Sequence, residues 1–293
     1  MEIQWYPGHM GKAHEQMTEL IRRTDVVIEI LDARLPLSSS NHQLEELRRS
    51  KPCIKVLNKQ DLADPAVTRE WVRHFEREKG VRALPLSARQ QGDAKQLIKL
   101  CRALVPKRGN PGFPVRAMVA GIPNVGKSTL INTLAGRSLA KVGDKPAITT
   151  CNQQIELKNG IVLFDTPGLL WPDLADQAGA YRLATSGAIG ANAFDCTVVA
   201  FFAVEYLCRR YPDLLRGRYK LAELPENSTI AIEEIGRCLG CLAAGGRVDM
   251  NRAAEAFLRE LRSGKIGRIS LEEPARADEA AGDVEEGSEE QEA

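Results

Sequence analysis

A chain of 293 residues, 43% of them apolar and 27% charged, is long enough for one large or two ordinary soluble domains. No apolar run in it is long enough to span a bilayer, so a membrane partner is not expected. Its net charge of +1 conceals an asymmetry: from Glu272 onward ten acidic residues face Arg276 alone, a balance of −9 that leaves +10 on residues 1–271.

Trp5 to Met10 (WYPGHM) sets two aromatics, Pro-Gly and His9 at the start, with neither a signal peptide's apolar core nor a transit peptide's bias. The seven cysteines are odd in number and scattered, which argues for reduced thiols and a cytoplasmic location. Gly11 to Arg23 has helical spacing, with Met17, Leu20 and Ile21 on its apolar face. Val26 to Leu31 reads as a buried strand ending in Asp32-Ala33-Arg34, a turn suited to an ion pair, and Asn41 is placed to cap a helix through Arg49. Cys53 to Leu57 is the next strand, running into Asn58-Lys59-Gln60-Asp61 (NKQD). Asp64-Pro65 opens a helix with the cap and first-position proline in place. Arg82 to Leu86, a third strand, ends in Ser87-Ala88-Arg89, and Asp93 to Leu104 is helical. Strands alternating with helices, with polar motifs at the strand ends, predict a doubly wound, mostly parallel α/β sheet.

Beyond the connector Pro106 to Pro114, the apolar run Val115 to Ala120 leads into GIPNVGKST, Gly121 to Thr129, and then a helix. Strand, glycine-bounded loop and helix in that order, with Gly121, Gly126, Lys127 and Ser128 at the spacing GxxxxGK[ST], form a phosphate-binding loop. Its glycines let successive N–H groups point inward as a concave anion site at a helix N-terminus. Asn124, Val125, Gly126, Lys127, Ser128 and Thr129 are its nucleotide-binding residues, with Lys127 reaching the outer phosphates and Ser128 ligating Mg²⁺. After Arg137 to Thr150, Gln153 to Leu157 and Ile161 to Phe164 form a hairpin about Asn159-Gly160, and the second strand runs into Asp165-Thr166-Pro167-Gly168.

From Trp171-Pro172 the pattern is helical: Ala175 to Ile189, Cys196 to Arg210, Ile230 to Ala243 and Asn251 to Arg262. The expected division is residues 1–174, a helical domain over 175–271, and a tail over 272–293 that lacks aromatics and apolar period and is predicted to be disordered. Cys238-Leu239-Gly240-Cys241 is a CxxC with no second pair to complete a zinc site, and reads as two buried thiols in a helix.

NKQD chooses the base. A carboxylate can accept from both N1–H and N2–H₂ of guanine, and adenine offers no such pair, so Asp61 discriminates by the cost of leaving polar groups unpaired. Lys59 can lay its stem along the ring, Asn58 can tie the segment to the phosphate loop, Gln60 completes the motif, and the Ser87-Ala88 backbone can donate to the guanine O6. The nucleotide read from the sequence is GTP.

In the usual order the phosphate loop precedes NKxD; here NKQD and SAR come first, so the domain is circularly permuted. The sequence resembles the permuted ribosome-assembly GTPases, most closely the bacterial ribosome biogenesis GTPase A family, from WYPGHMGKA through DTPGLLWP, TSGAIG and RAAEAFLRELRSGKIGRISLE. The resemblance implies a GTPase, stimulated by the ribosomal subunit, that assists late assembly of the large (50S) subunit. It would bind the subunit precursor and rRNA in the GTP state, with no DNA partner. It implies Thr149, or Thr150, as second Mg²⁺ ligand, although this chain reads PAITT where the family pattern is PGxTT. Asp165 would act on the metal through water, and the Gly168 N–H would sense the γ-phosphate. Asn124 matches an asparagine by which some related GTPases bind K⁺. Leu169 follows DTPG where many small GTPases carry a water-orienting glutamine, and the resemblance points to His9 as the catalytic substitute. Arg259, Arg262, Lys265 and Arg268 recur at threefold spacing; with a basic body they read as an rRNA contact, or as a solvated face. Two other readings stand beside this one. A GTP-dependent RNA-binding scaffold with incidental hydrolysis is compatible with Leu169. A permuted GTPase of the small subunit would need an N-terminal barrel that residues 1–24 cannot hold.

Overall fold

The computed structural model describes residues 10–109, 112–136, 153–157, 159–166 and 177–274. Six strands form one sheet: β1 (Val26–Asp32), β2 (Cys53–Asn58), β3 (Val81–Pro85), β4 (Val115–Gly121), β5 (Gln153–Leu157) and β6 (Ile161–Asp165). Their order is β3-β2-β1-β4-β6-β5, parallel throughout except where β5 runs antiparallel to β6. The winding direction reverses between β1 and β4, and at such a switch point the C-terminal strand ends frame a binding crevice. Register aligns those ends: Asp32 lies opposite Asn58, Ile30 opposite Gly121, and Val119 opposite Asp165.

All seven residues of β1 are buried, as expected of a parallel strand covered on both faces. Its alternate side chains enter two cores. Val27 and Leu31 join Met17 and Leu20 of α1 (Met10–Arg23), Leu44 of α2 (His42–Arg48) and Trp71 and Phe75 of α3 (Pro65–Phe75). Ile28 and Ile30 join Leu97 of α4 (Gln91–Leu104) and Leu130 of α5 (Lys127–Ala135). Helix starts follow local chemistry: Asn41 accepts from the Gln43 and Leu44 amides to cap α2, and Asp64 accepts from the Ala66 amide to cap α3, with Pro65 in first position.

The helices α6 (Gln177–Ser186), α7 (Cys196–Arg210), α8 (Pro212–Tyr219), α9 (Ser228–Cys238) and α10 (Met250–Ser263) bury Val204, Ile235 and Phe257 in a cluster continuous with the α4–α5 face of the sheet. Helix α8 is not in the sequence reading, because only Leu215 and Tyr219 of its eight residues are buried and the apolar period is too sparse. Helix α9 ends at Cys238 and not at Ala243; the chain turns back so that Leu242 bridges Val248. Cys241 is buried, but Cys238, closing the helix, is exposed, which corrects the reading of both thiols as buried. Among the described residues no helix is long and apolar enough to cross a membrane.

A second correction concerns the tail. Residues 265–274 form neither helix nor strand, yet Ile266, Ile269 and Leu271 are buried as the chain crosses back over the sheet domain. Glu272, expected to open a disordered tail, is buried at 6% exposure. Its carboxylate accepts from the Leu37 amide, the Ser38 amide at 3.1 Å and the Ser38 hydroxyl at 2.5 Å, while the Trp71 indole donates to its carbonyl at 3.3 Å. Those donors replace the water that a carboxylate gives up on burial. Residues 275–293 lie outside the described residues.

Glu272→Ala leaves the two loop amides without an acceptor. It is expected to lower stability by about 1–3 kcal/mol, read from the midpoint of urea unfolding.

Candidate functional site

The phosphate loop leaves β4 through Gly121, whose φ of +152° and packing both require glycine: a Cβ there would meet the Ile30 carbonyl oxygen at 2.5 Å. Gly126, at φ +103°, is the N-cap of α5, and a Cβ on it would lie 2.3 Å from the Asn58 amide nitrogen. As a glycine, Gly126 gives this helix no side-chain cap, so the first-turn amides, beside which Ser128 and Thr129 sit half-buried, can take an anion. Lys127 is buried, with Nζ donating to the carbonyls of Gly121 at 3.0 Å and Ile122 at 2.8 Å. Burial pulls its ammonium down to about 8, with Asp165 opposing. Asn124, at φ +57°, donates from its amide to the Gly187 carbonyl at 3.1 Å, tying the loop to the end of α6.

The NKQD segment is joined to this loop by one side chain. Asn58 ends β2; its Nδ2 donates to the Val125 carbonyl at 2.7 Å, and its Oδ1 accepts from the Ala88 amide at 2.8 Å. Lys59 takes the left-handed conformation (φ +62°) and its Nζ donates to Asp32 at 2.9 Å. Gln60 donates to Asp93 at 3.0 Å, and the Ser87 amide donates to the same carboxylate oxygen at 2.9 Å. Asp61 is exposed, close enough to Arg34 for the two charges to interact. The Ser87 amide thus rests on Asp93 and the Ala88 amide on Asn58.

Beneath the segment lies a buried ion pair. Arg34 donates to both oxygens of Asp32, at 2.9 and 2.7 Å, and to the Ser186 carbonyl at 3.3 Å. Burial pushes the Asp32 carboxyl up, but the Arg34 guanidinium and then the Lys59 ammonium outweigh it and hold the group well below the usual carboxylate range. The Asp32-Ala33-Arg34 turn and Asp93 are the participants that motif reading did not place in the site. The visible signal for Asp93 was only an acidic residue in the first turn of a helix.

Asp165 ends β6, and among the described residues neither of its buried carboxylate oxygens has a hydrogen-bond partner. Burial pushes its pKa up to about 6, with Lys127 opposing. Two orphaned carboxylate oxygens whose charge is felt by Lys127, the first residue of α5, fit a hydrated hard cation, which supplies the missing charge and donors. His9, Thr149, Thr150, Gly168 and Leu169 lie outside the described residues. Of the four cations at threefold spacing, Arg259, Lys265 and Arg268 are exposed and Arg262 is half-buried. Arg262 donates to the carbonyls of Thr185 at 3.0 Å and Ala184 at 2.8 Å, and Arg268 to those of Ala63 and Gln60. Two of the four therefore serve the fold itself.

Residues 116–205 match the model of a family described as 50S ribosome-binding GTPase. Ribosome biogenesis GTPase A of Bacillus cereus is 44% identical over 292 residues, covering 97% of this chain and 98% of that protein. Among solved structures, the GDP-bound structure of TM YlqF aligns with a TM-score of 0.67 at 29% identity, over 88% of this chain and 99% of that one. GNP-bound YlqF from Thermotoga maritima aligns at 0.64 and 28% identity, over 90% and 98%.

Because the folded pKa of Asp32 lies below its ordinary 3.8, the stability it contributes is present above about pH 4 and is lost as pH falls through the folded value. Asp32→Asn should therefore cost about 3 kcal/mol at pH 7, with the gap to the unmodified chain narrowing below pH 4 in parallel denaturant titrations.

Proposed function

The chain belongs to the ribosome biogenesis GTPase A family, and we propose that it binds the immature large ribosomal subunit in its GTP state and leaves after hydrolysis. It is a GTPase of ribosome assembly with a circularly permuted P-loop fold. The observation that carries the reading is the Asn58 bridge, which brings NKQD and the phosphate loop, 63 residues apart at their first members, to one crevice.

In this reading Asp61 accepts from N1–H and N2–H₂ of guanine, and the Lys59 stem, held at its tip by Asp32, lies along the ring. The first-turn amides of α5 and Lys127 hold the phosphates; the ammonium exchanges the Gly121 and Ile122 carbonyls for phosphate oxygens. Enzymes of this class generally use Mg²⁺, which neutralises charge on the outer phosphates. Ser128 and Thr149 would hold it directly and Asp165 through water, while the Gly168 amide would sense the γ-phosphate. A K⁺ ion would use the Asn124 carbonyl oxygen, which the bond to Gly187 orients. Leu169 can neither donate nor accept, so the attacking water is assigned to His9.

For the ribosome, the basic body supports an RNA surface, to which Arg259 and Lys265 contribute with their heads exposed. The helical region 175–271 would carry that contact, with 1–174 as the nucleotide domain. A scaffold with incidental hydrolysis is the second reading, and Leu169 is the residue that favours it.

Co-sedimentation with separated subunits tests the proposal: the chain should pellet with large subunits in a non-hydrolysable GTP analogue and not in GDP, and equal pelleting with either nucleotide would refute it. His9→Ala should leave GTP affinity within about twofold and reduce subunit-stimulated turnover about 10²-fold. Single-turnover hydrolysis that the subunits do not stimulate in the unmodified chain would favour the scaffold.

A further inference from the structure

We propose that Arg268, which follows the last helix and lies far from NKQD in sequence, is a positioning residue for base selection: it holds the main chain on both sides of Asp61. The inference rests on the reading that Asp61 recognises guanine, and it names what sets that carboxylate in place.

Beyond Asn58 the sheet domain reaches the main chain of the turn that carries Asp61 through the Gln60 amide, which donates to the Leu86 carbonyl at 3.2 Å. Strand β2 ends at Asn58, and Lys59 then adopts φ +62°, a conformation that costs a non-glycine residue about 1 kcal/mol or more and persists only where the surroundings impose it. The internal bonds of the turn are few: the Leu62 amide donates to the Lys59 carbonyl at 2.9 Å and the Ala63 amide to that of Gln60 at 3.4 Å. Asp61 is exposed, so its neighbours must fix its direction.

Those neighbours are held by the segment after α10. Arg268 donates from Nη2 to the Gln60 carbonyl at 2.7 Å and from Nε to the Ala63 carbonyl at 2.9 Å. The Ile269 amide donates to the Leu62 carbonyl at 2.9 Å, and the Asp64 amide donates to the Ser270 hydroxyl at 3.2 Å. A guanidinium is a planar fork, so its two donors set the spacing of the Gln60 and Ala63 carbonyls, one on each side of Asp61. The strap that presents the fork is itself fixed. Ile266, Ile269 and Leu271 are buried, the Leu271 amide donates to the Arg34 carbonyl at 2.6 Å, and the Ser270 amide donates to the Tyr211 hydroxyl at 3.1 Å. The Gln60 side chain donates in addition to Asp93 of α4 at 3.0 Å. The base-reading turn is thus clamped between the sheet domain and the strap.

GTP and ITP differ only in the 2-amino group, which the second oxygen of Asp61 would bind, so their affinity ratio reports how well that carboxylate is placed. A role in holding the strap down would lower stability and leave the ratio alone. The test uses the full chain and displacement of a fluorescent GDP by GTP or ITP. Arg268→Ala should cut the preference for GTP over ITP by about fivefold or more, through weaker GTP binding with ITP nearly unchanged. Arg268→Lys should do the same, because an ammonium cannot bridge two carbonyls in a plane. It keeps the stem and the charge, and decides the matter where the alanine variant does not fold. A ratio equal to that of the unmodified chain in both variants, with or without a lower melting temperature, overturns the inference. Asp61→Ala separates the two levels. If it abolishes the preference while the Arg268 variants retain it, only the positioning role falls; if it too leaves the ratio intact, the guanine reading falls with it.

Discussion

The carboxamide of Asn58 donates to the phosphate loop and accepts from the Ser87-Ala88 turn, so three loops from three strand ends are held at one set of distances. It is buried at the sheet's switch point, where an unmade bond to any of these groups would carry the full desolvation penalty. Gly126 must be glycine because Asn58 occupies the space of its Cβ. The Ala88 carbonyl in turn accepts from Thr133 of α5 at 2.7 Å, so the helix that begins at the phosphate loop also braces the Ser87-Ala88 turn. Circular permutation leaves this arrangement intact, since the bond joins neighbours in space whatever the order of their strands along the chain.

Around that centre two charged clusters do different work. Asp32 is paired with both Arg34 and Lys59, and their attraction outweighs the cost of burial for the carboxylate. Asp165 is the opposite case, its oxygens unpaired among the described residues and its pKa raised. The first cluster fixes the Asp32-Ala33-Arg34 turn against Lys59 of the NKQD segment; the second is a carboxylate still open to a partner.

The helical region is more than an appendage. Its core runs into the sheet's, Arg262 closes the end of α6, and the strap beyond α10 meets the NKQD turn and the Arg34 carbonyl. The strap is hydrogen-bonded to that turn by Arg268, and Asn124 links the phosphate loop to Gly187 at the end of α6.

Local chemistry was legible in the sequence because spacing encodes it. The strand–loop–helix context of Gly121 to Thr129, the caps Asn41 and Asp64, the hairpin at Asn159-Gly160 and the bounds of α7 all depend on residues within a few positions of one another, and the residue types alone name a guanine-specific P-loop. Contacts between distant residues left no such mark. That Glu272 is buried, that Arg262 and Arg268 grip main-chain carbonyls where a solvent-facing stripe was expected, and that Asp93 takes the Ser87 amide are decided by which segments meet. A charged side chain reads as surface until the donors and acceptors that compensate its burial are brought to it, and only the tertiary fold does that.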